Sequence, residues 1–243
     1  MYGLIGKKLG HSFSADFFNK KFAEEGIPET YRLFQLQSIT DFPSLILQYP
    51  ELKGLNVTLP YKQDVMLFLD HISPEASGIG AVNVVKIKWG KDIILTGFNT
   101  DYIGFRDSLI PLLNNEIKKA LILGTGGASK AVAYVLKNLD IDFTFVSRNP
   151  SDGQLSYQDL TPEIISQNLL IVNTTPLGMW PDVDSCPPIP YDALTSRHVC
   201  YDLVYNPETT SFMKLASQKG AITKNGLEML HLQALAAWDI WTS

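Results

Sequence analysis

The chain has 243 residues, 45% of them hydrophobic and 19% charged, the balance of a globular protein with a sizeable core. A net charge of −5 gives no sign of a nucleic-acid surface, which needs clustered Lys and Arg, although a local field can still hold an anion. The two cysteines, Cys186 and Cys200, are too few for a disulfide scaffold, and the longest apolar runs are too short to cross a bilayer.

In chain order, strands and helices alternate. Residues 2–5 read as a strand, 15–25 as a helix with Phe18, Phe22 and Ala23 on one face, 31–36 as extended chain and 42–48 as a short helix. Residues 55–59 form a strand, with Pro60 opening a helix that runs to about Leu69. Residues 81–88 and 92–97 pair as a hairpin across Trp89-Gly90-Lys91. A helix from Thr100 leads to a second series: a strand at 120–123, a glycine turn at 124–127 and a helix at 129–139. Strands follow at 143–146, 169–172, 199–204 and 221–223, and a last helix starts near Leu227. The pattern predicts an α/β protein with a parallel sheet. The expected division is an N-terminal α/β substrate domain, 1–101, and a C-terminal Rossmann-type domain, 102–223. Residues 224–243 are expected to return to the first domain, with the cleft between the two.

The sequence Gly124-Thr125-Gly126-Gly127-Ala128-Ser129 follows an apolar strand and opens a helix, the context of a dinucleotide turn. Glycine permits the tight turn and close approach of a pyrophosphate, and the helix N-terminus supplies free N–H groups. About 20 residues on, where a carboxylate would bind an adenosine ribose hydroxyl, the chain reads Val146-Ser147-Arg148-Asn149. Arg148 is a planar donor fork suited to a 2′-phosphate, so NADP is favoured over NAD. A plain glycine turn and a solvated Arg are the blander readings.

Three polar clusters stand out in the first half. Ser12-Phe13-Ser14 precedes a helix, where two hydroxyls suit an anion; Ser14 as a simple N-cap is the alternative. Asn56-Val57-Thr58-Leu59-Pro60-Tyr61-Lys62 lies at the C-terminal end of a strand, where ligands collect. Asn99-Thr100-Asp101 starts a helix, with capping as its structural alternative.

Together these segments resemble the shikimate dehydrogenase family over nearly the whole chain. Further matching motifs are Gly80-Ala81-Val82-Asn83, Asn173-Thr174-Thr175-Pro176-Leu177-Gly178-Met179, Asp202-Leu203-Val204-Tyr205, and Gly226-Leu227-Glu228-Met229-Leu230 with Gln233. The resemblance implies NADPH-dependent, reversible reduction of 3-dehydroshikimate to shikimate, a step of aromatic amino acid biosynthesis. It implies that Ser12 and Ser14 hold the substrate carboxylate, with Tyr205 nearby. Thr58, Asn83, Asp101 and Gln233 would bind ring hydroxyls, and Lys62 would be the acid/base group, with Asp101 beside it. Gly124, Thr125, Gly126, Gly127, Ala128, Ser147, Arg148, Asn149, Thr174, Leu203 and Gly226 would line NADP.

The sequence departs from the family in two places. Phe13 and Ala15 stand where Lys and Pro are usual, and the cofactor motif is reduced to Ser147-Arg148-Asn149 with no second Arg. The segment after Asn149 is shortened, so the helix usual there is expected to be missing or remodelled.

Gln233 is the polar member of an otherwise apolar helix face, where an amide needs a partner: a ligand hydroxyl, which the resemblance favours, or a neighbouring backbone group. His11, His71, His198 and His231 have no ligand spacing, so no metal is expected; His11 adjoins the serine pair and either shapes that loop or is exposed. Cys200 reads as buried, Cys186 as a loop residue, and Trp238 and Trp241 as core or interface. With no basic-then-apolar leader at Met1, a cytoplasmic monomer or homodimer is expected, with a small-molecule substrate and no nucleic-acid or membrane partner. Two rival functions are a quinate/shikimate dehydrogenase of broader substrate or cofactor use and a non-catalytic NADP-binding regulator. The first would favour an acid at Ser147-Arg148, and retention of Lys62 and Asp101 argues against the second.

Overall fold

The computed structural model describes residues 1–10 and 12–243. The chain divides into two compact units, Met1–Thr100 with Ala234–Ser243, and Asp101–Gln233.

The first unit contains β1 (Tyr2–Gly6), α1 (Phe13–Glu24), β2 (Tyr31–Gln35), α2 (Phe42–Gln48), β3 (Gly54–Val57), β4 (His71–Ile72), α3 (Pro74–Ile79), β5 (Val84–Lys88) and β6 (Ile94–Phe98). Its six-stranded sheet has the order β2-β1-β3-β5-β6-β4. β1 runs parallel to β2 and β3, whereas β5 is antiparallel to β3 and β6, as the hairpin pattern predicts. Because successive side chains alternate between faces, Ile5 and Val85 join one apolar cluster with Phe42, Leu52 and Leu55, while Leu4 and Val84 join another with Phe18 and Phe22. The second cluster receives the end of the last helix. Trp241 donates to Val85 O at 3.1 Å, and a Cβ on Gly54 would lie 2.3 Å from the indole, so only glycine leaves room for that ring.

The second unit contains α4 (Asp101–Leu109), β7 (Lys119–Leu123), α5 (Gly127–Asn138), β8 (Asp142–Ser147), β9 (Leu155–Ser156), α6 (Pro162–Gln167), β10 (Leu170–Asn173), β11 (Val199–Asp202), α7 (Ser211–Ser217), β12 (Ile222–Lys224) and the start of α8 (Leu227–Thr242). Its six strands are all parallel in the order β12-β11-β10-β7-β8-β9. Read from β9, this is the doubly wound 3-2-1-4-5-6 order, which reverses between β7 and β10. Ala120 and Ile122 face one apolar cluster and Leu121 and Leu123 the other, so the central strand is covered on both sides.

Several expectations are corrected. Residues 60–69 form turns and a 3-10 segment, Asp64–Phe68, rather than a helix from Pro60. Tyr61 and Val65 are buried and Met66, Phe68 and Leu69 pack partly against the same core, while Leu59 and Leu67 are 66% and 86% exposed, so the segment buries its apolar side through turns and a short 3-10 stretch. α1 begins at Phe13 with Ser12 at the N-cap position, so Ser14 lies in the first turn and is not the cap. The first turns of α8 pack within the second unit, so the segment grouped with the first is Ala234–Ser243, not 224–243. The shortened segment after Asn149 is, as expected, without the usual helix: after β8 a loop leads directly to the edge strand β9. Among the described residues, no helix is long and apolar enough to cross a membrane.

Candidate active site

In the first unit the sheet brings four of the singled-out residues to one neighbourhood. Thr58 directly follows β3 and its N–H donates to Ile5 O at 2.9 Å. Asn83 directly precedes β5, opposite Val57, whose N–H donates to Asn83 O at 2.8 Å. Lys62 is held beside them because its carbonyl accepts from Val82 N at 2.7 Å, and it is half-buried. Ser14 reaches the same network through Tyr31: the buried Tyr31 hydroxyl bonds Ser14 and donates to Asn56 Oδ1 at 2.7 Å. Burial pushes the Tyr31 phenol well above its ordinary range, opposed by the Ser14 bond, so it acts as a fixed neutral donor. The Ser12 hydroxyl makes no capping bond although it sits at the N-cap of α1. His11 lies outside the described residues.

Asn83 is buried, and its amide spans Thr100: Oδ1 accepts from Thr100 N at 2.6 Å and Nδ2 donates to Thr100 Oγ1 at 3.1 Å. Thr100 therefore serves Asn83, and Asn99 serves the Ala81 carbonyl at 2.9 Å.

In the second unit Asp101 is the first residue of α4 and only 7% exposed, at a helix end whose N–H groups favour an anionic side chain. One turn on, Gly104 meets α8: a Cβ there would lie 2.3 Å from Met229 O and 3.2 Å from Gln233 Cβ. Gln233 is thus fixed within one turn of Asp101. Its Nε2 donates to Leu230 O at 3.0 Å, the neighbouring-backbone partner weighed from the sequence. Tyr205, after β11, is 36% exposed.

The glycine turn lies at the carboxyl end of β7, beside the point where strand order reverses. Gly124 has φ +105°, a conformation side chains resist, and its N–H donates to Val146 O at 2.8 Å. A Cβ on it would lie 2.9 Å from Thr174 Oγ1, which donates to Leu123 O at 2.7 Å, so Thr174 is set against the turn. Gly126 occupies the N-cap of α5 with no side-chain cap, and a Cβ there meets nothing within 4 Å. Ser129 turns its hydroxyl back to Gly126 O at 2.6 Å, which accounts for a buried Ser at this place. On the other side, a Cβ on Gly226 would lie 2.1 Å from Leu203 O, so these two backbones touch. An open, uncapped helix start of three small residues, Gly126, Gly127 and Ala128, suits an anionic diphosphate.

At the end of β8, Ser147 Oγ accepts from Asn149 N at 3.2 Å and shapes the turn. Arg148 is exposed and forms no hydrogen bond or ion pair with the other described residues; Tyr157 is the group that feels its charge. Its guanidinium is available for an anion, and the turn contains no carboxylate.

The sequence did not reveal the polar core beneath these loops. Asn173, Asp202 and Thr210 are all fully buried, and Asn173 and Thr210 both donate to the Asp202 carboxylate. The available signal was an acid closing the apolar strand Val199–Asp202. His198 is also buried and structural: Nδ1 accepts from Thr195 N at 3.0 Å and Nε2 faces Ile165 O at 3.0 Å. Cys200 is buried, which pushes its thiol up to about 12. Among the described residues, no three His, Cys, Asp or Glu are grouped to hold a metal.

A family model described as the shikimate dehydrogenase substrate binding domain matches residues 4–85. A shikimate dehydrogenase (NADP(+)) of Clostridium beijerinckii is 41% identical over 253 residues, covering 99% of this chain and 91% of that protein. The crystal structure of shikimate dehydrogenase from Aquifex aeolicus aligns with a TM-score of 0.86 at 33% identity, over 99% of this chain and 91% of that one. That of the Thermus thermophilus enzyme, solved with NADP(H) and shikimate, has a TM-score of 0.86 at 30% identity, over 99% and 92%. With fold, motifs and length all matched, the chain belongs to the shikimate dehydrogenase family.

Proposed function

We propose that this protein is an NADP-dependent shikimate dehydrogenase, reversibly reducing 3-dehydroshikimate to shikimate. The observation that carries the cofactor half is the turn at Gly124: a positive-φ glycine against Thr174, followed by an uncapped helix start where a side chain would fill open space. Gly124 to Ala128 hold the diphosphate, with Thr174, Leu203 and Gly226 lining the rest of the dinucleotide. Ser147, Arg148 and Asn149 receive the 2′-phosphate, for which Arg148 is a geometrically matched donor. When bound, the nicotinamide supplies the hydride chemistry.

The remaining work falls to the chain's own side chains. The Ser12 and Ser14 hydroxyls hold the substrate carboxylate at the start of α1, with Tyr205 close to it. Thr58, Asn83, Asp101 and Gln233 bind the ring hydroxyls and so fix which face of the ring meets the cofactor. Lys62 Nζ gives a proton to the C3 oxygen during reduction and, as a neutral amine, takes it back during oxidation. Asp101 hydrogen-bonds the adjacent hydroxyl. Only proton movement and orientation are asked of the protein, and neither requires a metal.

The relatives support this reading, since the Clostridium beijerinckii protein is a shikimate dehydrogenase (NADP(+)) and the Thermus thermophilus structure holds NADP(H) and shikimate. We further propose a cytoplasmic protein acting as a monomer or homodimer, divided into a substrate domain over 1–101 and a cofactor domain. The test is NADPH oxidation by the purified protein with 3-dehydroshikimate and no added metal. Turnover is expected and is expected to survive a chelator. No turnover with 3-dehydroshikimate alongside turnover with dehydroquinate would reassign the substrate, and NADPH binding without turnover on either would indicate a non-catalytic protein.

A further inference from the structure

Asp202 closes β11 with a carboxylate fully shielded from solvent. Its two oxygens collect three neutral donors. Oδ1 accepts from Asn173 Nδ2 at 2.9 Å and Val204 N at 3.0 Å, and Oδ2 accepts from Thr210 Oγ1 at 2.6 Å. No cation pairs with it among the described residues. Burying a carboxylate among neutral partners is costly, and the fold could end a strand with an apolar residue more cheaply. What an acid does here, and an amide does not, is accept on both oxygens at once.

The three donors belong to three neighbouring segments, one of which is set against the glycine turn. Asn173 is followed by Thr174, which is set against Gly124. Asn173 also relays outward: its Oδ1 accepts from Thr175 N at 3.0 Å and Thr175 Oγ1 at 2.6 Å, which shapes the start of the loop to Met179. Val204 follows Leu203, whose backbone touches Gly226. Thr210 caps α7 through Met213 N at 3.3 Å and packs on the loop, its Cβ 3.3 Å from where a Cβ on Gly178 would stand.

We propose that Asp202 is a positioning residue for dinucleotide binding, locking Thr174 against the Gly124 turn and Leu203 against Gly226. This rests on the reading of that turn as an NADPH site. Asp202 does not touch the dinucleotide; it acts through the two residues it holds.

The test is steady-state kinetics of Asp202→Asn, with Thr174→Val and the double variant. In Asp202→Asn one donor must face another, whichever way the amide turns. KM for NADPH is expected to rise about tenfold while KM for 3-dehydroshikimate stays within about twofold, because only the cofactor-side loops lose their lock. If Asp202 acts through Thr174, the NADPH penalties of the two substitutions are expected to be clearly non-additive. Equal rises in both KM values, additive penalties or an unchanged KM for NADPH would overturn the inference. Should Asp202→Asn fail to fold, Thr210→Val removes one donor alone; the same split, smaller in size, is expected, and its absence overturns the proposal. A wild-type protein that does not bind NADPH in a fluorescence titration would overturn the site reading and this inference together. Normal wild-type binding with unsplit variants overturns the inference alone.

Discussion

Removing the Lys62 amine separates proton transfer from binding. Lys62→Ala is expected to lower kcat by about 10²–10⁴-fold, the range of a positioned acid/base group, while KM for 3-dehydroshikimate changes far less. The carboxylate anchor assigned to Ser12 and Ser14 is untouched by that change. A variant with near-normal kcat would remove Lys62 from the mechanism. Arg148 poses the complementary question of recognition. It is exposed and forms no hydrogen bond or ion pair with the other described residues, so its loss costs the fold little. Arg148→Ala is expected to raise KM for NADPH by about tenfold to a hundredfold and leave KM for NADH nearly unchanged, because only the phosphorylated cofactor offers the 2′ anion. Equal weakening toward both would show Arg148 holding its loop; no change would leave discrimination to Ser147, Asn149 or the backbone. Arg148 was legible in the sequence because its place is fixed by distance from the glycine turn. The Asn83–Thr100 bond and the Leu230 carbonyl that meets Gln233 were not, since a polar side chain's partner depends on packing between distant segments.

Between α4 and α8 the contact turns on Gly104. Alanine is the better helix former by about 1 kcal/mol, which favours substitution, but its Cβ would lie 2.3 Å from the Met229 carbonyl. A backbone atom cannot rotate away, and overpacking costs about 1–3 kcal/mol, so the clash wins. Gly104→Ala is expected to lower Tm by several degrees in a thermal melt and to weaken shikimate binding, because Gln233 sits on the displaced turn. A variant as stable as the wild type would show that the two helices separate freely. This closeness also marks where the sequence could be read and where it could not. Long periodic segments such as α5, and strands set off by glycine turns, stand out because their apolar spacing is strong. α3, α6 and α7 are six or seven residues each, too short for a period to register. Their signals are local instead: Ser73, Thr161 and Thr210 all cap through the side chain, and Pro74 and Pro162 follow two of them. Residues 60–69 misled in the opposite sense: Pro60 and the helical spacing of Tyr61, Val65, Phe68 and Leu69 suggested a helix, but the segment brings these side chains to the core through turns and a 3-10 stretch.

For the molecule as a whole, the doubly wound order places β7, β10 and β11 side by side, and that juxtaposition forces Asp202 into the interior beneath the loops it organises. The consequence is a pH dependence of global stability. Burial pushes the Asp202 carboxyl up from 3.8 to about 6, against the pull of Thr210, Val204 and Asn173. Between roughly pH 4 and pH 6 the folded protein keeps a proton that the unfolded chain has released, so stability falls as pH rises through that window and levels off above it. A displacement of about two pKa units corresponds to about 3 kcal/mol, a large share of a typical total of about 5–15 kcal/mol. Glu29 works in the other direction: burial raises it, but hydrogen bonds from Lys53 and the N-terminal amine hold it below its ordinary 4.5. Its contribution is present above 4.5 and is lost as pH falls below, so the two groups act in largely separate windows. Urea titrations from about pH 5 to about pH 7 are therefore expected to show wild-type stability declining with pH. Asp202→Asn carries no titrating group at that position, and its stability is expected to be nearly flat over the same interval, whatever its absolute value. The slope is the readout, because an amide changes the height of the curve through lost hydrogen bonds but cannot release a proton. An equal decline in the variant would place the titrating group elsewhere in the molecule.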